Sequence, residues 1–242
     1  MPRVQLFVTC LVNGFFPDAA AATVKVLERA GCEVVVTPGQ SCCGQPAFNV
    51  GMTDQAKLLA RKLLDDIGDG DQPVIVPSGS CADMLIHHFP KLLSDNPETA
   101  AGAVSLAARV RELTAFLVDD LGVVDLGARC PRRVSFHPSC HGLRNLGLGP
   151  QARVLLEAVD GLELVEFERA EECCGFGGLF SVELPEVSAA IMNSKLDRIE
   201  AAAPDLVVGG DVSCLLHIGG GLHRRGSEIE VAHISQILAG PT

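Results

Sequence analysis

The chain has no tryptophan and no tyrosine, and aromatics make up only 4% of its residues. Any core must therefore be aliphatic, which a hydrophobic content of 48% can supply. There is no cluster of lysine and arginine; 19 basic residues stand against 30 acidic ones, a formal net charge of −11. A nucleic-acid surface, which needs clustered cations facing phosphate, is excluded. No charge-free apolar stretch reaches the length of a membrane span, and the opening Met1-Pro2-Arg3-Val4-Gln5-Leu6-Phe7-Val8 has neither the apolar run nor the cleavage site of a signal peptide. A soluble, cytoplasmic protein is expected. The glycine runs Gly177-Gly178 and Gly219-Gly220-Gly221 lack a following Gly-Lys-Ser/Thr, so neither reads as a phosphate loop. The ten cysteines include no Cys-x-x-Cys, the knuckle from which zinc sites are usually built.

What is present is a doubled cysteine followed by glycine, and it occurs twice: Ser41-Cys42-Cys43-Gly44-Gln45-Pro46 and Glu171-Glu172-Cys173-Cys174-Gly175-Phe176-Gly177-Gly178. Adjacent cysteines do not readily form a strain-free disulfide, because the bridge wants a wider Cα separation. In a reducing compartment, repeated thiols point to metal or redox chemistry. The glycines let backbone N–H groups approach sulfur closely.

Short apolar runs alternate with helical patterns, and the order of events repeats. An apolar run at Val4–Val8 leads to Cys10. A helical pattern ends at Glu28-Arg29-Ala30, and Glu33–Val36 is a strand leading to Cys42-Cys43. Leu59, Leu63 and Ile67 mark a helix face, and Val74–Val76 is a strand leading to Cys81. A helix is expected through Met84, Leu85 and His88, and another over the alanine-rich residues 100–118. After a softer stretch from Asp119 to Arg133, Val134–Phe136 leads to Cys140. Residues 152–159 are helical, Leu162–Val165 leads to Cys173-Cys174, and Met192, Leu196 and Ile199 mark a helix face. Leu206–Val208 leads to Cys214, and Glu230-Val231 begins a last strand before a short terminal helix. Cys10 to Cys42 is 32 positions and Cys43 to Cys81 is 38; Cys140 to Cys173 is 33 and Cys174 to Cys214 is 40. Two matched intervals around a doubled cysteine indicate an internal duplication.

The expected fold is α/β, with two pseudo-symmetric Rossmann-like halves, residues 1–125 and 126–242. Each is a small parallel sheet flanked by helices, and the two pack around a shared thiol-rich cleft. Ligands of such sheets gather at the carboxyl ends of strands, and each of the eight repeated cysteines follows a strand. The candidate metal and cofactor ligands are Cys10, Cys42, Cys43 and Cys81 in the first half, and Cys140, Cys173, Cys174 and Cys214 in the second. Four thiolates can hold an iron–sulfur cluster or a closed tetrahedral zinc. Single cysteines around a Cys-Cys-Gly fit the cluster better, with a zinc-stabilised, non-redox interaction module as the alternative. Cys32 and Cys130 have no counterpart in the other half and are read as incidental. His137 and His141 flank Cys140 and are candidates either to donate a hydrogen bond to sulfur or shuttle a proton, or simply to pack. Arg144 is a weak candidate for meeting an anionic substrate, Glu171-Glu172 reads as a solvated pair, and His87-His88 as surface or core.

Two copies of Cys, Cys-Cys-Gly and Cys resemble the cysteine-rich "CCG" domain family. Its members include the B subunit of heterodisulfide reductase, the iron–sulfur subunit of glycolate oxidase and the C subunit of anaerobic glycerol-3-phosphate dehydrogenase. Thr9-Cys10 with Phe15-Phe16-Pro17, Cys42 through Asn49, Pro77 through Cys81, Ser139-Cys140-His141 and Glu172 through Gly178 are most similar to its lactate-utilisation branch. The resemblance implies an iron–sulfur component, with a [4Fe–4S] cluster, of a flavin-independent complex that oxidises L-lactate, a small 2-hydroxy acid, to pyruvate. It implies as partners a ferredoxin-like iron–sulfur protein and a third small subunit; a glycolate or heterodisulfide system is the alternative. The wider family ends each motif in Cys-x-x-Cys. Here Met84 and His217 stand at those last positions, which weighs against a five-thiolate cluster and makes His217 a candidate replacement ligand.

Overall fold

The computed structural model describes residues 1–240. It contains two four-stranded parallel sheets. The first is made of β1 (Arg3–Leu6), β2 (Glu33–Val36), β3 (Val74–Val76) and β4 (Val110–Glu112), in the order β2-β1-β3-β4. The second repeats that order, β6-β5-β7-β8, with β5 (Arg133–His137), β6 (Glu163–Leu164), β7 (Leu206–Gly209) and β8 (Glu230–His233). Central strands buried on both faces read as unbroken apolar runs, as in Val74–Val76 and Leu206–Val208, which are fully or almost fully buried. The two halves are thus pseudo-symmetric, each a parallel sheet with flanking helices.

Most expected elements lie where the apolar patterns put them. The helix Pro17–Arg29 has proline at its first position, where a missing N–H costs nothing, and buries Ala19, Ala22, Thr23, Val26 and Leu27. The helix Thr53–Ile67 buries Ala56, Ala60, Leu63 and Ile67 at three- and four-residue spacing. The stretch expected to be one helix over 100–118 is a departure. The helix Pro97–Arg109 stops, Val110–Glu112 forms the edge strand β4 against β3, and a new helical segment covers 113–120. Three strand residues between helix formers carry no local signature; pairing with Val74–Val76 decides their conformation.

The sheets share one core. Val4, Leu6 and Ile75 of the first lie in the same apolar cluster as Val134, Leu206 and Val208 of the second. Helices are exchanged around it. The terminal helix Ile234–Leu238 lies on Pro17–Arg29 of the first half, and the 113–120 segment lies on the helix Pro150–Glu157 of the second. Ser235 Oγ donates to the Ala19 carbonyl at 2.9 Å, and His233 Nε2 to the Pro77 carbonyl at 3.2 Å, so the last strand and helix are fastened to the other half by buried polar contacts.

In each sheet the strand order reverses between the first and third strands, the switch point at which such sheets open a crevice. Cys10 and Cys81 emerge there in the first half, Cys140 and Cys214 in the second.

Candidate metal centre

Each thiol set is assembled from three chain segments. Cys10 opens the short helix after β1, and Cys81 sits in the first turn of the helix after β3, where the Ser78 hydroxyl accepts from the Cys81 N–H at 3.4 Å. Cys42-Cys43 arrive in the loop after β2. Gly44 then turns the chain at φ +83°, and Gly175 does the same after Cys173-Cys174 at φ +91°. This left-handed conformation, which residues with a Cβ avoid, folds the following N–H back onto the sulfur. Gly44 N–H donates to Cys42 Sγ at 3.4 Å and Gly175 N–H to Cys173 Sγ at 3.3 Å. The glycine of the repeated motif is therefore part of the sulfur's coordination environment.

The sulfurs converge without bonding to one another. Cys10 and Cys42 Sγ are 3.6 Å apart, Cys43 and Cys81 3.4 Å, and Cys174 and Cys214 3.1 Å, all well beyond a disulfide bond of about 2.05 Å. Cys140 contacts Cys173, which contacts Cys174. In each set the first residue of the doublet is the one whose surroundings favour the thiolate. Cys42 is held down to about 3 first by the S–H donated from Cys10 and then by the adjacent Cys43 thiol, with the Gly44 N–H adding to this; Cys173 is held low by Cys140 and Cys174 in the same order. The neighbours are raised: Cys10 and Cys140 first by their hydrogen bond to that sulfur and then by burial, and Cys43 and Cys174 first by that sulfur, next by Cys81 and Cys214, to which their S–H groups point, and then by burial.

All eight thiols line one cavity of about 560 Å³ between the halves. Its wall is completed by apolar side chains such as Pro46, Ala47, Phe176, Leu179 and Val212, and by the polar Gln45, Asn49, His141 and Asp211. Among the described residues no lysine or arginine lines it. Cys32 is buried in the shared apolar core and Cys130 lies beside it; neither reaches the cavity.

Two buried polar groups adjoin the second set. His137, at the end of β5, is 1% exposed, and neither ring nitrogen has a hydrogen-bond partner among the described residues. One of its nitrogens and the sulfurs of Cys174 and Cys214 all lie within 4.8 Å of one another. Burial pushes its pKa down to about 3, so the imidazole is neutral, the form that binds metals. Lys195, also 1% exposed, donates to the Ala170 carbonyl at 3.0 Å and lies 5.0 Å over the Phe167 ring. Four converging thiols with a buried imidazole bearing unpaired nitrogens are a donor set suited to a metal ion or iron–sulfur cluster.

Some expectations are corrected here. Of the candidate histidines, His137 lies beside the sulfurs of Cys174 and Cys214, whereas His217 Nε2 is engaged with Ser188 Oγ at 3.2 Å and its ring meets Phe176 edge-on. Arg144 is turned to the Glu171 carbonyl at 3.3 Å, outside the cavity lining, and Glu172 is paired with Arg169 and Arg198 instead of free in solvent. Asp83 passed unnoticed in the sequence. Fully buried two residues after Cys81, it accepts from His87 at 2.7 Å and, across the junction, from His141 at 2.6 Å and Asn145 at 2.7 Å. Its spacing of four from His87 on one helix was the available signal. Lys195 was equally legible as a cation on the apolar face that holds Met192 and Ile199.

The family model of the cysteine-rich domain, CCG, matches residues 4–86 and again 134–219. The chain belongs to this cysteine-rich CCG family. Among its CCG relatives, lactate utilization protein A of Exiguobacterium sp. is 44% identical over 239 residues, covering 98% of this chain and 97% of that one. The proteins of the same name from Shouchella clausii and Geobacillus kaustophilus are 46% and 45% identical over 236 residues, each with 98% of both chains covered. In structure the chain is similar to a hypothetical protein from Helicobacter pylori, with a TM-score of 0.64 at 12% identity, covering 98% of this chain and 48% of that chain. At that identity the likeness concerns the fold alone.

Proposed function

We propose that the protein is the iron–sulfur electron-transfer component of a system that oxidises L-lactate to pyruvate. The observation that carries this is the single cavity holding two complete sets of four thiols. The substrate class comes from the relatives named lactate utilization protein A. Cys10, Cys42, Cys43 and Cys81 would hold one cluster, and Cys140, Cys173, Cys174 and Cys214 the other. Bound clusters supply one-electron carriers whose potentials respond to charge, hydrogen bonds to sulfur and solvent exposure.

The chain's own groups set those three quantities. Gly44 and Gly175 N–H groups donate to Cys42 and Cys173 and withdraw charge from the sulfurs. Cys43, Cys81, Cys174 and Cys214 are buried, while Cys10 and Cys173 are exposed, so each set has a protected side and a solvent-facing side on which a partner can dock. A small carboxylate substrate is normally held by an arginine or lysine. The described cavity lining offers none, which supports carriage of electrons here and binding of the hydroxy acid on a partner. The partners would be a ferredoxin-like iron–sulfur protein and a third small subunit.

A zinc reading draws on one observation. Sulfur separations of 3.1–3.6 Å are near the edge of a single-ion tetrahedron, about 3.8 Å for Zn–S bonds of about 2.3 Å. Anaerobic purification separates the two. The electron-transfer reading expects brown protein with iron and sulfide that bleaches with dithionite; colourless protein with stoichiometric zinc and no iron overturns it. Deletion of the gene is expected to abolish growth on L-lactate, and normal growth there with loss on glycolate would move the substrate to another 2-hydroxy acid.

A further inference from the structure

The two thiol sets are equivalent in their sulfurs and unlike in what surrounds them. Matching Cys10 with Cys140 places Phe7 opposite His137. A Cβ on Gly44 would meet the Ala56 carbonyl, and one on Gly175 the Ser188 carbonyl, so these two helix positions correspond; seven residues further on, Leu63 lies opposite Lys195. Phe7 and Leu63 are fully buried in one apolar cluster with Cys43 and Cys81. The first set is thus walled by hydrocarbon at the two positions where the second has an imidazole and an ammonium.

The lysine has partners within the protein: the Ala170 carbonyl and the Phe167 ring. The imidazole lies near that same Ala170 carbonyl, which Lys195 already occupies, but outside hydrogen-bond geometry, so at 1% exposure neither of its two nitrogens has a partner among the described residues. A buried polar group left in this state marks a place for a bound water or ion, and one of its nitrogens lies within 4.8 Å of both Cys174 Sγ and Cys214 Sγ, which favours the ion. We propose that His137 is a donor to the metal group held by the second thiol set, through a ring nitrogen, alongside Cys174 and Cys214 and in place of one of the other two thiols, Cys140 or Cys173. The chain then carries two unlike centres, thiolate-only in the first half and thiolate with imidazole in the second. This rests on the metal-binding reading above.

The consequence is a direction. A neutral nitrogen donor leaves a centre less negative than a thiolate does, and histidine ligation raises cluster potentials. The Lys195 charge near Cys174 and Cys214 acts in the same sense. The second centre is the stronger oxidant, and electrons run from the first set to the second.

The test is pulsed paramagnetic resonance on the full-length chain, reconstituted anaerobically with ferrous iron and sulfide, carrying ¹⁵N-labelled histidine and reduced with dithionite. The expected result is one centre with the strong nitrogen coupling of a direct bond and one without. His137→Phe, which copies the first half, loses that coupling and lowers the higher of the two midpoint potentials. His137→Cys keeps the iron content of the second set with no histidine coupling. Only weak nitrogen couplings in the iron-loaded wild type, or a strong one surviving in His137→Phe, overturns the assignment of His137 and leaves the metal reading intact. A chain that takes up no iron overturns both.

Discussion

Gly44 and Gly175 occupy the same place in the two halves under different constraints. Both have φ near +90°, where an added Cβ costs about 1–2 kcal/mol. At Gly175 that Cβ would also come within 2.6 Å of the Ser188 carbonyl, whereas at Gly44 the nearest atoms are at 3.4 Å. Gly175→Ala is expected to lower the melting temperature more than Gly44→Ala, which by the φ cost alone loses several degrees at about 2–4 °C per kcal/mol; paired thermal scans check the order. Cys174→Ser is expected to lose the iron of the second set, whereas Cys32→Ser, buried in the shared core away from the cavity, keeps all of it. Equal iron in the two variants would undo the ligand assignment. At this scale the sequence was a good guide to the sulfurs, because Cys-Cys-Gly is local and the left-handed glycine belongs to the motif. It pointed to His137 through its place beside Cys140 without deciding between a role at sulfur and packing, and for Lys195 and Asp83 it offered only a position on a helix. Their meaning depends on being buried next to residues 19–77 positions away, and one-dimensional spacing does not contain that fact.

The fourth strand of each sheet ends in a buried titratable residue that caps the next helical segment. Glu112 Oε2 accepts from the Thr114 N–H at 2.7 Å, and His233 Nδ1 accepts from the Ser235 N–H at 3.2 Å. Burial raises Glu112 from 4.5 to about 7 and lowers His233 from 6.5 to about 4. Between pH 4.5 and 7 the unfolded chain releases the Glu112 proton while the fold retains it, so this contribution to stability falls as pH rises. His233 acts in the opposite sense: the unfolded chain takes up a proton below about 6.5 that the fold refuses, so stability falls as pH falls. The two largely offset between pH 4.5 and 6.5. Glu112→Gln removes one of them. The stability of wild type minus that of the variant is expected to decline by about 3 kcal/mol, in order of magnitude, from pH 4.5 to 7. Urea titrations across that range measure it, and a pH-independent difference would sink the account. The strand carrying Glu112 was hidden in an alanine-rich stretch that reads as helix, whereas its counterpart Glu230-Val231 was visible because Gly226 and Ser227 interrupt the helix before it.

On the scale of the molecule, the repeat was legible and the interlocking was not. Matching intervals announced two similar sheets. They could not announce that Val12, behind Cys10, packs with Val212 of the other half, or that the corresponding positions across the junction, Gly142 and Gly79, approach backbone to backbone. A Cβ on Gly79 would meet Gly142 at 3.0 Å and Ser139 Oγ at 2.8 Å. With the core shared and the terminal helix lying on the opposite half, calorimetry is expected to give one unfolding transition, and residues 1–125 alone none that is cooperative. Two resolved transitions would mean that the halves are independent. The interlocking also bears on how such a molecule diverges. A pair of identical subunits must accept every substitution twice, once at each symmetry-related seat. Joining the repeats in one polypeptide lifts that obligation: position 7 can stay phenylalanine while position 137 becomes histidine, and a symmetric vessel acquires a polarity.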